Sequence, residues 1–544
     1  MASTLVDARR SPGEEPSRPA PGDGTRAAPA GDGSRPSRPA WLAPTLILVA
    51  ASALLAVCVG AHAMWFDEVQ AWNLARASHS LGDLFANLRY EGHPAVWYLP
   101  LFALTRVTGN PRAMQVLEWA IVTATYAVIL LKAPFRLGVR AAIIGGYFVT
   151  YEYGVISRSY SLELLFLVVA LVLLARPRPA WGRVALLLML LTWTSLAGGV
   201  LAIALGLGLG MEALRQRKAG AERRVWRSPL SAGVVAIGSA LAAAVVCIPP
   251  SDYHSFALGI PSTPLTTFSS DRFLVALSGP WRGLVPLPSG IGRWNTNLLD
   301  TLPQSVTIEA LLGVVLAVAV AVALRHHRVA FRVWVLGALG YVAFSYVVVL
   351  PDRSHYAGEW FVLFLAAVWL AAAPPGEART AGDPLRLRGG SAITLGAVVA
   401  IVLGAQLVAT LAILPDQTLH EFAPDRSLAA TATTHGLAHD IVSAQDLDAV
   451  TMSAYLEQPV YSIARRTDIA FFPNDEREAL GYAHLTSADI VCRAASIAGQ
   501  RRRAVALVTD RALDARAGMT MLRTSHGVTL WQVEPGTSTA ACSS

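Results

Sequence analysis

Trp65-Phe66-Asp67-Glu68 stands at the exit of an apolar stretch running from about Trp41 to Ala63, and Glu91-Gly92-His93-Pro94 follows in the same polar loop. Acids at a bilayer surface are costly, and ionisable residues at a membrane edge are functional candidates by default. A carboxylate such as Asp67, within hydrogen-bond reach of a hydroxyl, suits general-base chemistry. Glu68 is a second catalytic candidate, and Glu91 and His93 are candidates for binding a substrate. The competing reading is local: acids favour helix N-termini, so Asp67 and Glu68 also suit the start of a helix near Val69. Arg158-Ser159-Tyr160 and Arg353-Ser354-His355-Tyr356 bring cations to other span ends. Arginine grips phosphate with two parallel bonds and keeps its proton. Arg158, Arg353 and His355 are therefore phosphate-binding candidates. Tyr160 is either a site residue or an interfacial aromatic anchor. Glu152, in the outer turn of a span, needs a partner: a structural pair with Arg158 and a functional role are equally open.

Composition says what must position these groups. The chain is 54% hydrophobic and only 15% charged, against roughly 25% charged in soluble domains. Many apolar stretches reach the roughly 20 residues that cross a hydrocarbon core. Spans are expected near 41–63, 113–131, 141–157, 161–175, 183–195, 197–213, 229–248, 304–324, 332–350, 357–374 and 391–414, about eleven helices in all. Residues 1–40 are too poor in large apolar side chains to repay ordering and read as a disordered cytoplasmic tail. The apolar stretch that follows begins too late and runs too long for a cleavable signal peptide.

With the N-terminus cytoplasmic, the basic loops 132–140, 176–183, 215–227, 325–328 and 379–388 all fall inside, provided that 94–109 lies in the interface and does not cross. The outer loops 64–112 and 249–303, with Asp67, Glu68, Glu91, His93, Glu152, Arg158, Tyr160, Arg353 and His355, then share one face. The net charge of +7 follows from the inner loops and does not indicate nucleic-acid binding. Residues 415–544 turn polar, with strand-like runs at 449–452, 459–463, 504–508 and 527–531 and a helical stretch near 427–445. They read as a small extracytoplasmic α/β domain on a 41–414 all-α polytopic membrane domain. Cys58 and Cys247 fall in spans as packing residues. Cys492 and Cys542 lie where a disulfide is permitted, but no spacing signature pairs them. No CxxC, HExxH, P-loop or dinucleotide fingerprint is present, so no cofactor is indicated, and a divalent metal is left open without being indicated.

The combination of Asp67-Glu68 after the first span, His93-Pro94 later in that loop, and Arg158-Ser159-Tyr160 at a span's outer end resembles the GT-C glycosyltransferases. These are membrane enzymes related to protein O-mannosyltransferases and to aminoarabinose transferases of lipid A. Arg353-Ser354-His355-Tyr356-Ala357-Gly358 is similar to a short motif before a late span in bacterial members. The likeness covers the first 200 residues or so, with one departure: Ala95 stands where a second proline often follows the histidine. The resemblance implies a plasma-membrane enzyme that transfers a sugar from a polyprenyl-phosphate donor. The acceptor would be an envelope glycan, lipid or protein on the outer face. Residue chemistry alone also leaves open a lipid or solute transporter and a non-catalytic scaffold.

Overall fold

The computed structural model describes residues 41–248, 268–347, 354–376, 390–473 and 482–537. The calls on the 1–40 tail and on Arg353 therefore lie outside the described residues.

Helix α1 (Leu42–Ala61) leads into three short helices, α2 (Phe66–Ala77), α3 (Leu81–Leu88) and α4 (Tyr98–Thr105). The chain then forms α5 (Arg112–Lys132), α6 (Leu137–Ile144), a π-helical turn (Phe148–Glu152), α7 (Tyr160–Leu174), α8 (Trp181–Thr192), α9 (Leu196–Lys218) and α10 (Arg223–Val246). After these come α11 (Ser270–Leu284), α12 (Ser305–Leu324), α13 (Arg328–Val347), α14 (Ser354–Ala372) and α15 (Gly390–Leu419). Among the described residues eight helices are long and apolar enough to cross a membrane: α1, α5, α9, α10, α12, α13, α14 and α15. α7 and α8 are apolar but shorter, at 15 and 12 residues.

Two expectations are corrected. The stretch 141–157 is not one helix: α6 ends at Ile144 and a π turn follows. Gly145 and Gly146 lie at the break, where a side chain would press on Leu407 and Gln406 of α15. Glycine is a weak helix former, so chain breaking and close packing coincide here. The loop 249–303 also contains α11, whose Gly279 and Gly283 face Trp360 of α14. At eight residues, α4 rises only about 12 Å, too short to cross, as expected for 94–109.

α14 is the centre of the bundle, with 94% of its apolar window buried. At one end of the bundle the basic hairpins converge. Arg215, His326, His327 and Arg328 line one cavity with Trp181 and Gly376, and the Gly376 amide donates to the Leu174 carbonyl. The acids Asp67 and Glu68 belong to the opposite end, beyond Ala61 of α1.

The C-terminal part holds α16 (Asp425–Thr434), β1 (Ile441–Ser443), α17 (Asp446–Leu456), β2 (Val460–Ser462), β3 (Thr467–Ile469), a helix at Ser487–Arg501, β4 (Val505–Thr509), β5 (Met519–Ser525) and β6 (Val528–Val533). The six strands order as β3-β2-β1-β4-β6-β5. β1 runs parallel to β2 and β4, and the other pairs are antiparallel. The strand expected at 449–452 is instead part of α17, whose first turn carries Asp446 and Asp448, the acids that favour a helix start. Alternation in the strands sorts the two faces. Val442, Val505 and Leu507 pack with the Ser487–Arg501 helix, while Ile441, Ala506 and Val508 share a core with α16, α17 and Trp72 and Leu74 of α2. Cys58 and Cys247 are buried thiols. Cys492 is disulfide-bonded, and Cys542 lies outside the described residues.

Candidate active site

The site is built where α2 starts. Glu68 is fully buried and gathers three donors. His62 Nε2 lies 2.8 Å from Oε2, the Trp65 amide donates to the same oxygen at 3.1 Å, and the Ser157 amide donates to Oε1 at 2.8 Å. One carboxylate thus ties the end of α1, the first turn of α2 and the segment before α7. The next residue of that segment, Arg158, donates through one guanidinium nitrogen to Asp67 Oδ2 at 2.7 Å. Neighbouring acids therefore hold neighbouring residues: Glu68 takes the backbone of Ser157, and Asp67 takes the side chain of Arg158. The two ion-pair side chains remain 22% and 12% exposed, for Asp67 and Arg158 respectively, so the pair is reachable while Glu68 is not.

Aromatic rings back the arginine. Its guanidinium lies 5.6 Å from the Tyr160 ring centre, and Tyr160 stacks on Tyr153 at 4.9 Å. The Tyr153 hydroxyl donates to the His355 carbonyl at 2.6 Å, and the His355 ring lies 5.8 Å from Tyr160. Burial works against the Arg158 charge, but Asp67 first, then Tyr160, Tyr356 and Tyr98, more than offset it and push its pKa up.

Glu91 accepts from Gln70 Nε2 at 2.7 Å. Burial raises its pKa to about 7, against the Gln70 bond and with help from the nearby Asp67 charge. The His93 Nδ1 lies 2.7 Å from the Glu91 carbonyl. Burial, then the Arg158 charge, lower its pKa to about 4. Near pH 6 this pair is therefore a protonated acid beside a neutral imidazole.

Glu152 does not take Arg158 as its partner. It accepts from the Tyr147 hydroxyl and from Trp294 Nε1, both at 2.9 Å. Trp294 packs edge-on to Trp65 and to Phe422, forming an aromatic wall beside the start of α2.

Asp67, Glu68, Glu91, His93, Arg158, Tyr160 and His355 thus come together, drawn from four separate segments. Sequence reasoning missed His62 and Gln70 and gave Tyr98 and Tyr356 no role in the site. Gln70 matches the Phe472 backbone in both directions, donating to its carbonyl and accepting from its amide at 2.7 Å each. Asn73 and Arg76, further along α2, donate to the Val450 and Ser453 carbonyls of α17. Nothing in the residue spacing announces these contacts, because each joins segments far apart in the chain. Among the described residues no three metal-ligating side chains cluster. Set against known proteins, the chain matches no family model, no curated protein and no solved structure.

Proposed function

We propose that this chain is a membrane glycosyltransferase of the GT-C kind, acting on a polyprenyl-phosphate sugar at the outer face of the plasma membrane. The observation that carries the reading is the accessible Asp67–Arg158 pair, held at 2.7 Å on a buried frame. With no donor bound, each charge satisfies the other. A donor phosphate competes for Arg158 and releases the Asp67 carboxylate. The acceptor hydroxyl then attacks the sugar's anomeric carbon. Its proton passes to Asp67, the bond from carbon to phosphate oxygen breaks, and polyprenyl phosphate leaves with an added negative charge facing Arg158. Glu68 acts here as a positioning residue, since its oxygens are occupied and buried. Tyr160 and His355 support the arginine, and Glu91 and His93 border the acceptor side. The acceptor is an envelope glycan, lipid or protein.

The test is Asp67→Asn, which keeps shape and removes basicity. Transfer from a polyprenyl-phosphate sugar in reconstituted membranes is expected to fall roughly 10²–10⁴-fold, with a smaller fall in the thermal midpoint because Arg158 loses its charged partner. Near-normal turnover would reduce Asp67 to a helix-start acid.

One observation favours a second reading, transport of a lipid or solute. Glu163 of α7 and Glu359 of α14 are buried and hydrogen-bonded to each other, and Glu118 of α5 is buried against Ser161. Carboxyls inside apolar helices are the material of proton relays. Proton or lipid movement across vesicles without donor turnover, abolished by Glu359→Gln, would favour transport.

A further inference from the structure

We propose that the basic end of the bundle, opposite the Asp67–Arg158 pair, carries a binding site for the phosphate head group of an anionic lipid. A cavity of about 640 Å³ opens there, within the range that holds an organic ligand. Trp181, Leu209 and Leu370 give it an apolar floor, and Arg215 and Arg328, beside His327, a cationic rim. Glu212 is the one acid in its wall. Its charge is already taken, by Arg215 at 2.9 Å through Nε and by Arg332 at 3.2 Å. The rim therefore keeps net positive charge, because Arg215, Arg332 and Arg328 all share this one carboxylate. Arg328 also opens α13, where the amides of a helix start add to the attraction for an anion. A free phosphate would use the rim alone. An amphiphile uses rim and floor together, and basic recesses between spans on this side of a membrane suit lipid phosphates. The site shares no residue with the proposed catalytic pair, so the two proposals stand or fall separately.

The full chain, purified in detergent, is titrated in turn with phosphatidylglycerol, phosphatidylcholine and inorganic phosphate. The thermal midpoint is followed, and bound lipid is counted by native mass spectrometry. Phosphatidylglycerol is expected to bind and raise the midpoint, while the other two do so weakly. Arg328→Glu is expected to lower its affinity roughly tenfold or more. Arg183→Glu, the same charge change on α8 outside the cavity lining, is expected to leave binding intact. Equal loss in both variants, or equal response to phosphatidylcholine, overturns the site in favour of diffuse attraction. A matching shift from inorganic phosphate overturns the lipid in favour of a free anion. Should Arg328→Glu fail to fold, the three-ligand comparison on the unaltered chain decides alone.

Discussion

Asp67 and Arg158 are 91 positions apart in the chain and 2.7 Å apart in the structure. Their contact rests on the residues beside them, because Glu68 fixes the Ser157 amide and so sets where Arg158 begins. The pair is a reachable charge couple on a buried, hydrogen-bonded mount.

Arg158→Lys is expected to weaken donor binding and turnover together, by roughly 10- to 100-fold, because lysine keeps the charge and loses the planar fork. Donor affinity and single-turnover rates on the purified variant check this. Unaltered values for both would take Arg158 out of the phosphate site.

Glu68→Ala is expected to damage stability first. It strands the Trp65 and Ser157 amides, at about 1–3 kcal/mol for each buried donor left unpaired. A lowered thermal midpoint together with lost transfer is expected, in contrast to Asp67→Asn, where transfer falls far more than stability. A Glu68→Ala protein as stable as the parent would end its role as the mount.

The loop acid and histidine give opposing pH slopes. Glu91 is raised from 4.5 to about 7, so it holds more proton folded than unfolded, and its stabilising contribution is lost as pH rises through that window. His93 is lowered from 6.5 to about 4, so its contribution is lost as pH falls through that window. Between about pH 5 and 6.5 the two nearly cancel. Thermal midpoints across this range are expected to climb with pH in Glu91→Gln and to fall with pH in His93→Asn. Flat profiles in both variants would show that neither group titrates as described.

The basic hairpins gather at the end away from Asp67, the end that the positive-inside rule assigns to the cytoplasm. Reporter fusions are expected to place the N-terminus in the cytoplasm and the segment after Pro415 outside. A C-terminal reporter active in the cytoplasm would put the candidate site on the wrong side for a polyprenyl-phosphate donor.

The apolar helices were readable because hydropathy over a span-length window is a strong local signal. The candidate residues were readable because charged side chains at span ends are rare and therefore conspicuous. Pairing was not readable. Pairing with Arg158 is one of two open readings for Glu152, yet Glu152 turns to Tyr147 and Trp294, and Arg158 turns to Asp67. The π turn was hidden because hydropathy does not register the backbone break that Gly145 and Gly146 permit. Ala449 to Met452 read as a strand from residue type, but its place on α2 and the acids that begin α17 made it helical. The contacts that mount Asp67 are mostly to backbone groups, which carry no residue signature at all.

The Gln70–Phe472 match has a consequence for the order in which the molecule is made. Gln70 emerges with the first loop of the nascent chain, and its backbone partner lies 402 positions later. Trp72 and Leu74 of α2 already pack with Leu84, Tyr98 and Leu101 of the early chain. Until that later segment has been synthesised, however, Gln70, Asn73 and Arg76 lack their Phe472, Val450 and Ser453 backbone partners. One face of the helix that carries Asp67 is therefore left without these partners until the later segment is made. The surroundings of Asp67 are therefore complete only once the last quarter of the chain has been made.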